Sequence, residues 1–247
     1  MTNAEIRYEM MKHLSKEIHC NAADFLSDTN KVYKTESDNE QFFRMMCFGN
    51  AAVARVNEKI YDWCRDFVSG HIGFRCFDGS QFSVIAVELA KYGFRLGCGQ
   101  GMIADINFKR ENKSIPYKTR IINKADIKRF YDDEVDGKFY KSDAEWCMLP
   151  YSETTEYIIA AYDSDKVVGF VVADKNTDKI YDVGYETLPE YRQKGIASAI
   201  TTEMTNLLLD KGFISYAGLA WSNVSSKNVL IKSGYTVTWS NMGSNPI

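Results

Sequence analysis

Residues 192–197 read Arg-Gln-Lys-Gly-Ile-Ala, two cations and a glycine where the surrounding pattern marks a turn running into a helix. Main-chain N–H groups at a helix start have no intrahelical acceptor. Glycine carries no Cβ to hold a ligand oxygen away from them. A helix start also bears partial positive charge, so Arg192 and Lys194 are unfavourable there unless an anion offsets them. A phosphate held at the main-chain N–H groups beside Gly195 would supply that anion. A solvated cationic turn is the plain alternative.

These residues need a strand to deliver the turn and a helix to leave it. Residues 179–188, Lys-Ile-Tyr-Asp-Val-Gly-Tyr-Glu-Thr-Leu, read as the strand. The helix runs to about Asp210, with Ile196, Ala197, Ile200, Met204, Leu207 and Leu208 on one stripe and Thr201, Glu203 and Asn206 facing away. Lys211 and Gly212 close it with a cation and a C′ glycine. Upstream, residues 119–133 predict a strand and then a helix capped near Asn123 to Asp126. Two further short strands follow at 156–162 and 167–173, separated by turn-forming clusters. Downstream come a strand at 214–221, a short helix at about 224–233 and a last strand from Tyr235. The resulting order over 115–247 is βαβββαβαβ. A polar segment at 109–118 holds the first of four prolines, Pro116, and marks a boundary between residues 1–114 and 115–247. The N-terminal part reads as helix-rich, with helical spacing over Val56–Val68 and over Phe82–Tyr92, the second stopped by Gly93.

The turn at 192–197 resembles the R/Q-x-x-G-x-G/A signature of the GNAT superfamily of acyl-CoA-dependent N-acyltransferases. Asn223-Val-Ser-Ser226 followed by Lys232-Ser-Gly-Tyr235 resembles the superfamily's second segment, at the expected spacing and on the expected elements. Within the superfamily the chain is most similar to a bacterial group with an added N-terminal region, which includes relatives of zwittermicin-resistance acetyltransferases. The resemblance implies an α/β (α+β) fold, a mixed and mostly antiparallel sheet flanked by helices, after a helix-rich N-terminal α/β region. It implies acetyl-CoA as co-substrate, with its pyrophosphate at 193–198, its pantetheine along the main chain near Thr187, and Asn223 and Ser226 on the pantetheine arm or the phosphates. Simple N-capping is the alternative for Asn223. A small-molecule primary amine would be the acceptor, acetylated by direct attack in a ternary complex. The competing function is a non-catalytic acyl-CoA sensor.

Direct attack needs a neutral amine, and an alkyl amine with pKa near 10.4 is about 99.9% protonated at pH 7. A base or a water chain must accept that proton, and since all three histidines lie before residue 72, the carboxylates of the strand at 179–188 are the obvious candidates. Asp182 and Glu186 are the candidates, and their even spacing puts both on one face of a regular strand; an exposed or structural role is the alternative for each. The family's usual general acid is a tyrosine seven residues after the motif asparagine, where this chain has Leu230. Tyr185, Tyr216 and Tyr235 are the substitutes the sequence offers.

Composition bounds the rest. The chain has 247 residues, 45% hydrophobic and 26% charged, with net charge −3, so no basic field points to nucleic acid. Its N-terminus has no apolar signal-peptide core, and its longest apolar run, 167–173, is too short to span a bilayer. Six cysteines without a C-x-x-C pair suit reduced thiols, and the expected location is cytoplasmic. No metal is expected, because His13, His19 and Cys20 match no ligand spacing. Monomer and homodimer both stay open. Gly97-Cys-Gly-Gln-Gly101 reads as a loop, the basic residues of 109–129 as a solvated face, and Asp132–Asp136 as an exposed acidic run. Lys91-Tyr-Gly-Phe94 echoes Lys232-Ser-Gly-Tyr235, so the N-terminal region is either a degenerate copy of the same fold or an unrelated extension.

Overall fold

The computed structural model describes residues 1–36, 41–135 and 149–247. Cys147 and Asp136 lie outside the described residues. The chain divides into two compact units. The first comprises Met1–Gly101, Gly218–Asn223 and Val237–Ile247, and the second Met102–Ala217 and Val224–Thr236. Pro116 therefore falls inside the second unit.

In the first unit, helix α1 (Asn3–Glu17) precedes strands β1 (Lys31–Thr35), β2 (Phe43–Cys47) and β3 (Ala52–Asn57). Helices α2 (Tyr61–Ser69) and α3 (Gly79–Ala90) follow, then strand β4 (Phe94–Ala104). The C-terminal strand β10 (Tyr235–Pro246) returns to run antiparallel to β2, pairing Ser240 with Cys47 and Gly243 with Arg44. The strand order here is β1-β3-β2-β10-β4. Phe43, Met45, Ala54, Val56, Cys64, Ile85 and Leu89 form its core.

Two expectations for this region are corrected. The helical spacing over Val56–Val68 begins too early, because Val56 is buried in β3 and the helix starts at Tyr61. Asn57 ends the strand by accepting the Lys59 N–H (3.1 Å) on its side chain. Gly97–Gly101 is not a loop but the middle of β4. A Cβ at Gly101 would lie 1.9 Å from the Trp239 ring, so the glycine makes room for an indole on β10. Glycine content signals a loop locally, whereas here a distant side chain requires it.

The second unit follows the expected order. Strand β5 (Lys118–Ile122) leads to a 3₁₀ turn and the short helix α4 (Ile127–Phe130), and then a π-helical turn over Tyr131–Val135. Neither Asn123 nor Asp126 supplies the side-chain cap expected there. Strands β6 (Thr155–Asp163), β7 (Lys166–Lys175) and β8 (Ile180–Thr187) form an antiparallel meander with β5 at its edge. Helix α5 (Ile196–Asp210), strand β9 (Ile214–Ala220) and helix α6 (Val224–Lys232) complete it, β9 lying parallel to β8. The sheet is mixed and mostly antiparallel, with helices packed on both faces. Ile196, Ile200, Met204 and Leu208 of α5 pack with Tyr181, Val183 and partly buried Tyr185 of β8. Ile127 and Phe130 of α4 pack with Ile158, Ala160, Phe170 and Val172.

Thr201 departs from the expected stripe. It is fully buried, as are Thr202 and Thr205. This flank of α5 meets a polar lining: Thr202 Oγ1 bonds Ser233 Oγ (3.2 Å), and Thr205 Oγ1 bonds the Tyr235 hydroxyl (3.0 Å). Among the described residues, no helix is long and apolar enough to cross a membrane.

Candidate functional site

Strand β8 holds the site because its two neighbours differ in reach. It pairs with β7 along its whole length, from Lys175–Tyr181 to Gly169–Thr187. With β9 it pairs only at Ile180–Ile214, Tyr181–Ser215 and Asp182–Tyr216. From Val183 to Thr187, β8 has no registered β9 partner among the described residues, so one edge of it is open. Leu188 donates its N–H to Val168 C=O (3.0 Å) on the β7 side. Alternation along a strand therefore turns the N–H and C=O of Thr187, and those of Tyr185, to the open edge.

At that edge Thr187 N–H donates to Glu186 Oε1 (3.0 Å), and Thr187 C=O accepts from Arg192 Nε (3.2 Å). Arg192 Nη2 also reaches Glu186 Oε1 (3.3 Å). The three residues form one clasp over the last turn of strand. Burial raises the Glu186 carboxyl above its ordinary range, against the lowering by Thr187 N–H and Arg192. Its side chain is 20% exposed, so it is desolvated yet reachable. Thr187 Oγ1 is buried with no hydrogen-bond partner.

Beyond β8, Leu188 and a 3₁₀ turn at Pro189–Tyr191 lead to Arg192. Gln193 (φ 63°) and Gly195 (φ 82°) both lie in the left-handed region. Gly195 is the N-cap of α5, and no side chain caps the helix. The N–H groups of its first turn are thus open to a ligand. The nearest atom to a Cβ at Gly195 would be Ile115 Cγ2, at 4.0 Å, so only the backbone conformation demands glycine there. Lys194 Nζ stands 4.6 Å over the Tyr191 ring. Ser198 is buried, and its C=O accepts from Thr202 Oγ1 (2.7 Å) and Ser233 Oγ (3.3 Å).

The remaining candidates separate. Asp182 and Glu186 share a face with Gly184, opposite the face that packs on α5. Asp182 sits where β8 is paired on both sides, whereas Glu186 lies beside the open edge. Ser226 C=O, in the first turn of α6, accepts from the Tyr185 hydroxyl (2.8 Å). Asn223 falls in the first unit, its N–H donating to Ala220 C=O (3.0 Å). Leu230 is 1% exposed, a core residue of α6. Of the substitute tyrosines, Tyr235 is sealed in the core by Ser215 Oγ (2.6 Å) and Thr205, and the Tyr216 hydroxyl accepts from Asn176. Tyr185 is the one on the open stretch of β8, and burial pushes its phenol up to about 12. The sequence pattern missed the Glu186–Arg192 pair, because Arg192 was matched to an anion beyond the turn rather than to a residue six positions back.

The second unit is thus an α/β arrangement in which the parallel pair of a mixed sheet parts beside a glycine-led, uncapped helix. Residues 122–235 match the acetyltransferase (GNAT) family. Among solved structures it resembles a GCN5-related N-acetyltransferase from Sphaerobacter thermophilus at 15% identity, covering 66% of this chain and 56% of that one, TM-score 0.47. It also resembles one from Kribbella flavida at 14% identity, covering 66% and 63%, TM-score 0.46. A third is a GNAT-family acetyltransferase from Colwellia psychrerythraea at 14% identity, covering 62% and 57%, TM-score 0.43. The chain thus spans 56–63% of the length of these structures. No curated protein matches it.

Proposed function

We propose that the protein is an acetyl-CoA-dependent N-acetyltransferase that modifies a primary amine of a small molecule by direct attack. The observation that carries this reading is the continuity of the open β8 edge with the uncapped start of α5. An extended amide-bearing arm can add to a strand edge, while a pyrophosphate takes up the N–H groups from Gln193 to Ser198. Ser226 follows as a contact to the arm or the phosphates. A main-chain N–H of the edge near Thr187 would stabilise the thioester oxyanion.

In this reading Glu186 is the base. The amine nitrogen bonds to the acetyl carbon, the C–S bond breaks, and the nitrogen's proton passes to Glu186 directly or through water. Asp182 is the second candidate. A carboxyl raised by burial is a better proton acceptor for this task than an ordinary one. The CoA thiolate, with pKa near 8.5, leaves unaided or takes a proton from a neighbouring group.

Leu230 favours the second reading, an acyl-CoA-binding protein without transfer activity, since no acid can act from that buried apolar position. Free-thiol release from acetyl-CoA with a panel of small amines separates the two. Release above background with any amine supports the enzyme. Binding of acetyl-CoA with no release from the whole panel supports the sensor.

A further inference from the structure

The basic residues of 109–129 are exposed except for half-buried Arg110, and two of them reach the end of α6. Arg110 Nε donates to Ser233 C=O (3.0 Å), and its Nη2 donates to Gly234 C=O (3.1 Å). Lys113 Nζ donates to Lys232 C=O (3.2 Å), and Lys232 is itself in the last turn of α6. Three cations therefore converge on one helix end. Asp105 lies near Arg110, and its Oδ1 accepts the Asn107 N–H (2.8 Å). Neither Lys113 nor Lys232 has a carboxylate partner among the described residues.

A helix C-terminus carries only about half a negative charge. Arg110 alone, on the two carbonyls, offsets that. Lys113 and Lys232 are surplus positive charge, and burial first and the Lys232 charge second hold the Lys113 ammonium below its ordinary pKa.

Their place in the unit supplies the reason. Ile115 packs beside Gly195, and Lys113 is two residues upstream, about 7 Å along extended chain. Ser233, adjacent to Lys232, bonds the Ser198 carbonyl in the first turn of α5 (3.3 Å). Chain neighbours of both lysines thus touch the start of α5, to which the pyrophosphate is assigned.

We propose that Lys113 and Lys232 form a second phosphate subsite that reads the 3′-phosphate of CoA, making the protein selective for CoA over dephospho-CoA. This rests on the acyl-CoA reading of the α5 turn. The 3′-phosphate is a monoester and nearly dianionic at pH 7, a charge that two unpaired ammonium groups match. The pyrophosphate is already served by main-chain N–H groups, so the outer cations are left for the other anion of the same ligand.

The test is calorimetric titration of the full-length protein with CoA and with dephospho-CoA. The wild type is expected to bind CoA about tenfold tighter or more, the effect of one charge-assisted contact. Lys113→Gln and Lys232→Gln should each narrow the gap, and the double variant should close it while keeping its affinity for dephospho-CoA. Equal affinities in the wild type would overturn the subsite and leave the CoA reading standing. So would a preference that survives in the double variant. No binding of either ligand would remove the CoA reading, and the subsite with it. The wild-type comparison needs no variant, so loss of folding in a variant cannot shelter the proposal.

Discussion

Helices α1 and α5 are both fifteen residues long, and they begin in opposite ways. At α1, Thr2 accepts the Glu5 N–H (3.2 Å) while Glu5 Oε2 accepts the Thr2 N–H (2.7 Å). The start is closed by its own sequence. At α5 the N-cap is a left-handed glycine, no side chain caps it, and Arg192 and Lys194 stand just before it. The carboxylates nearby differ in the same sense. Hydrogen bonds from the Thr2 backbone and hydroxyl lower Glu5, whereas burial raises Glu186. One start is completed for stability, and the other is left incomplete in a way that a bound anion would finish.

The comparison breaks most visibly in catalysis. Glu186→Gln is expected to lower amine acetylation by about 10²-fold or more, the usual weight of a general base. Glu5→Gln at α1 should leave it unchanged, and so should Leu230→Met, which keeps the volume of a buried side chain. Thiol-release kinetics under saturating acetyl-CoA measure all three. Full activity in Glu186→Gln would move the base to Asp182 or elsewhere.

Ligand binding gives the next effect. Acetyl-CoA at 100 times its Kd should stabilise the wild type by about 2.7 kcal/mol, read as a raised Tm. Gly195→Asp should abolish that shift, because it sets a carboxylate against the bound phosphate and a Cβ on a left-handed residue. A variant that folds and shifts as far as the wild type would mean that the α5 start does not hold the phosphate.

Thr2→Ala should have the converse signature. It removes a helix cap and should cost about 1 kcal/mol of stability in chemical unfolding, with the acetyl-CoA shift intact. A cap mutation that abolished ligand stabilisation would erase the distinction between the two starts.

The smallest effect is in the pH dependence of stability, where the two glutamates have opposite signs. Glu186 is raised from 4.5, so the folded state binds its proton more tightly than the unfolded state. Its contribution is full below the unfolded pKa and is lost as pH rises through the folded one. Glu5 is lowered, so its contribution is present above 4.5 and lost as pH falls through its folded pKa. Urea unfolding over about pH 3–7 should show Glu186→Gln flattening the decline toward neutral pH, and Glu5→Gln flattening the loss on acidification. Asp174 is also raised by burial, so part of the decline toward neutral pH should remain in Glu186→Gln.

Legibility followed the range of the forces involved. The start and stop of α5 were readable because Gly195 and Gly212 (φ 77°) take left-handed conformations that their own neighbours impose. The paired helix stops at Gly93 and Gly234 were readable for the same reason, each donating its N–H to a carbonyl three residues back. Gly97–Gly101 was misread because its local composition says turn, while its small side chains answer to β10, more than a hundred residues later. Thr201 was misread as facing away because it is buried on the flank of α5 where Thr202 and Thr205 meet the hydroxyls of Ser233 and Tyr235, which no helical period encodes.

By itself the sequence determined the element order of the second unit and the turn chemistry at 192–198, since dihedral preference, hydrophobic period and missing caps are set within a few residues. It also brought Asp182 and Glu186 to one face of β8, through the two-residue repeat of a strand. Tertiary structure alone decided that β9 leaves β8 after Asp182, which opens the edge beside Glu186. Packing likewise joined Arg192 to Glu186 and Thr187, buried Leu230 and Tyr235, and gathered Lys113 and Lys232 on one helix end. Pairing, burial and charge density are properties of what lies nearby in space, and the chain supplies those neighbours only once it has folded.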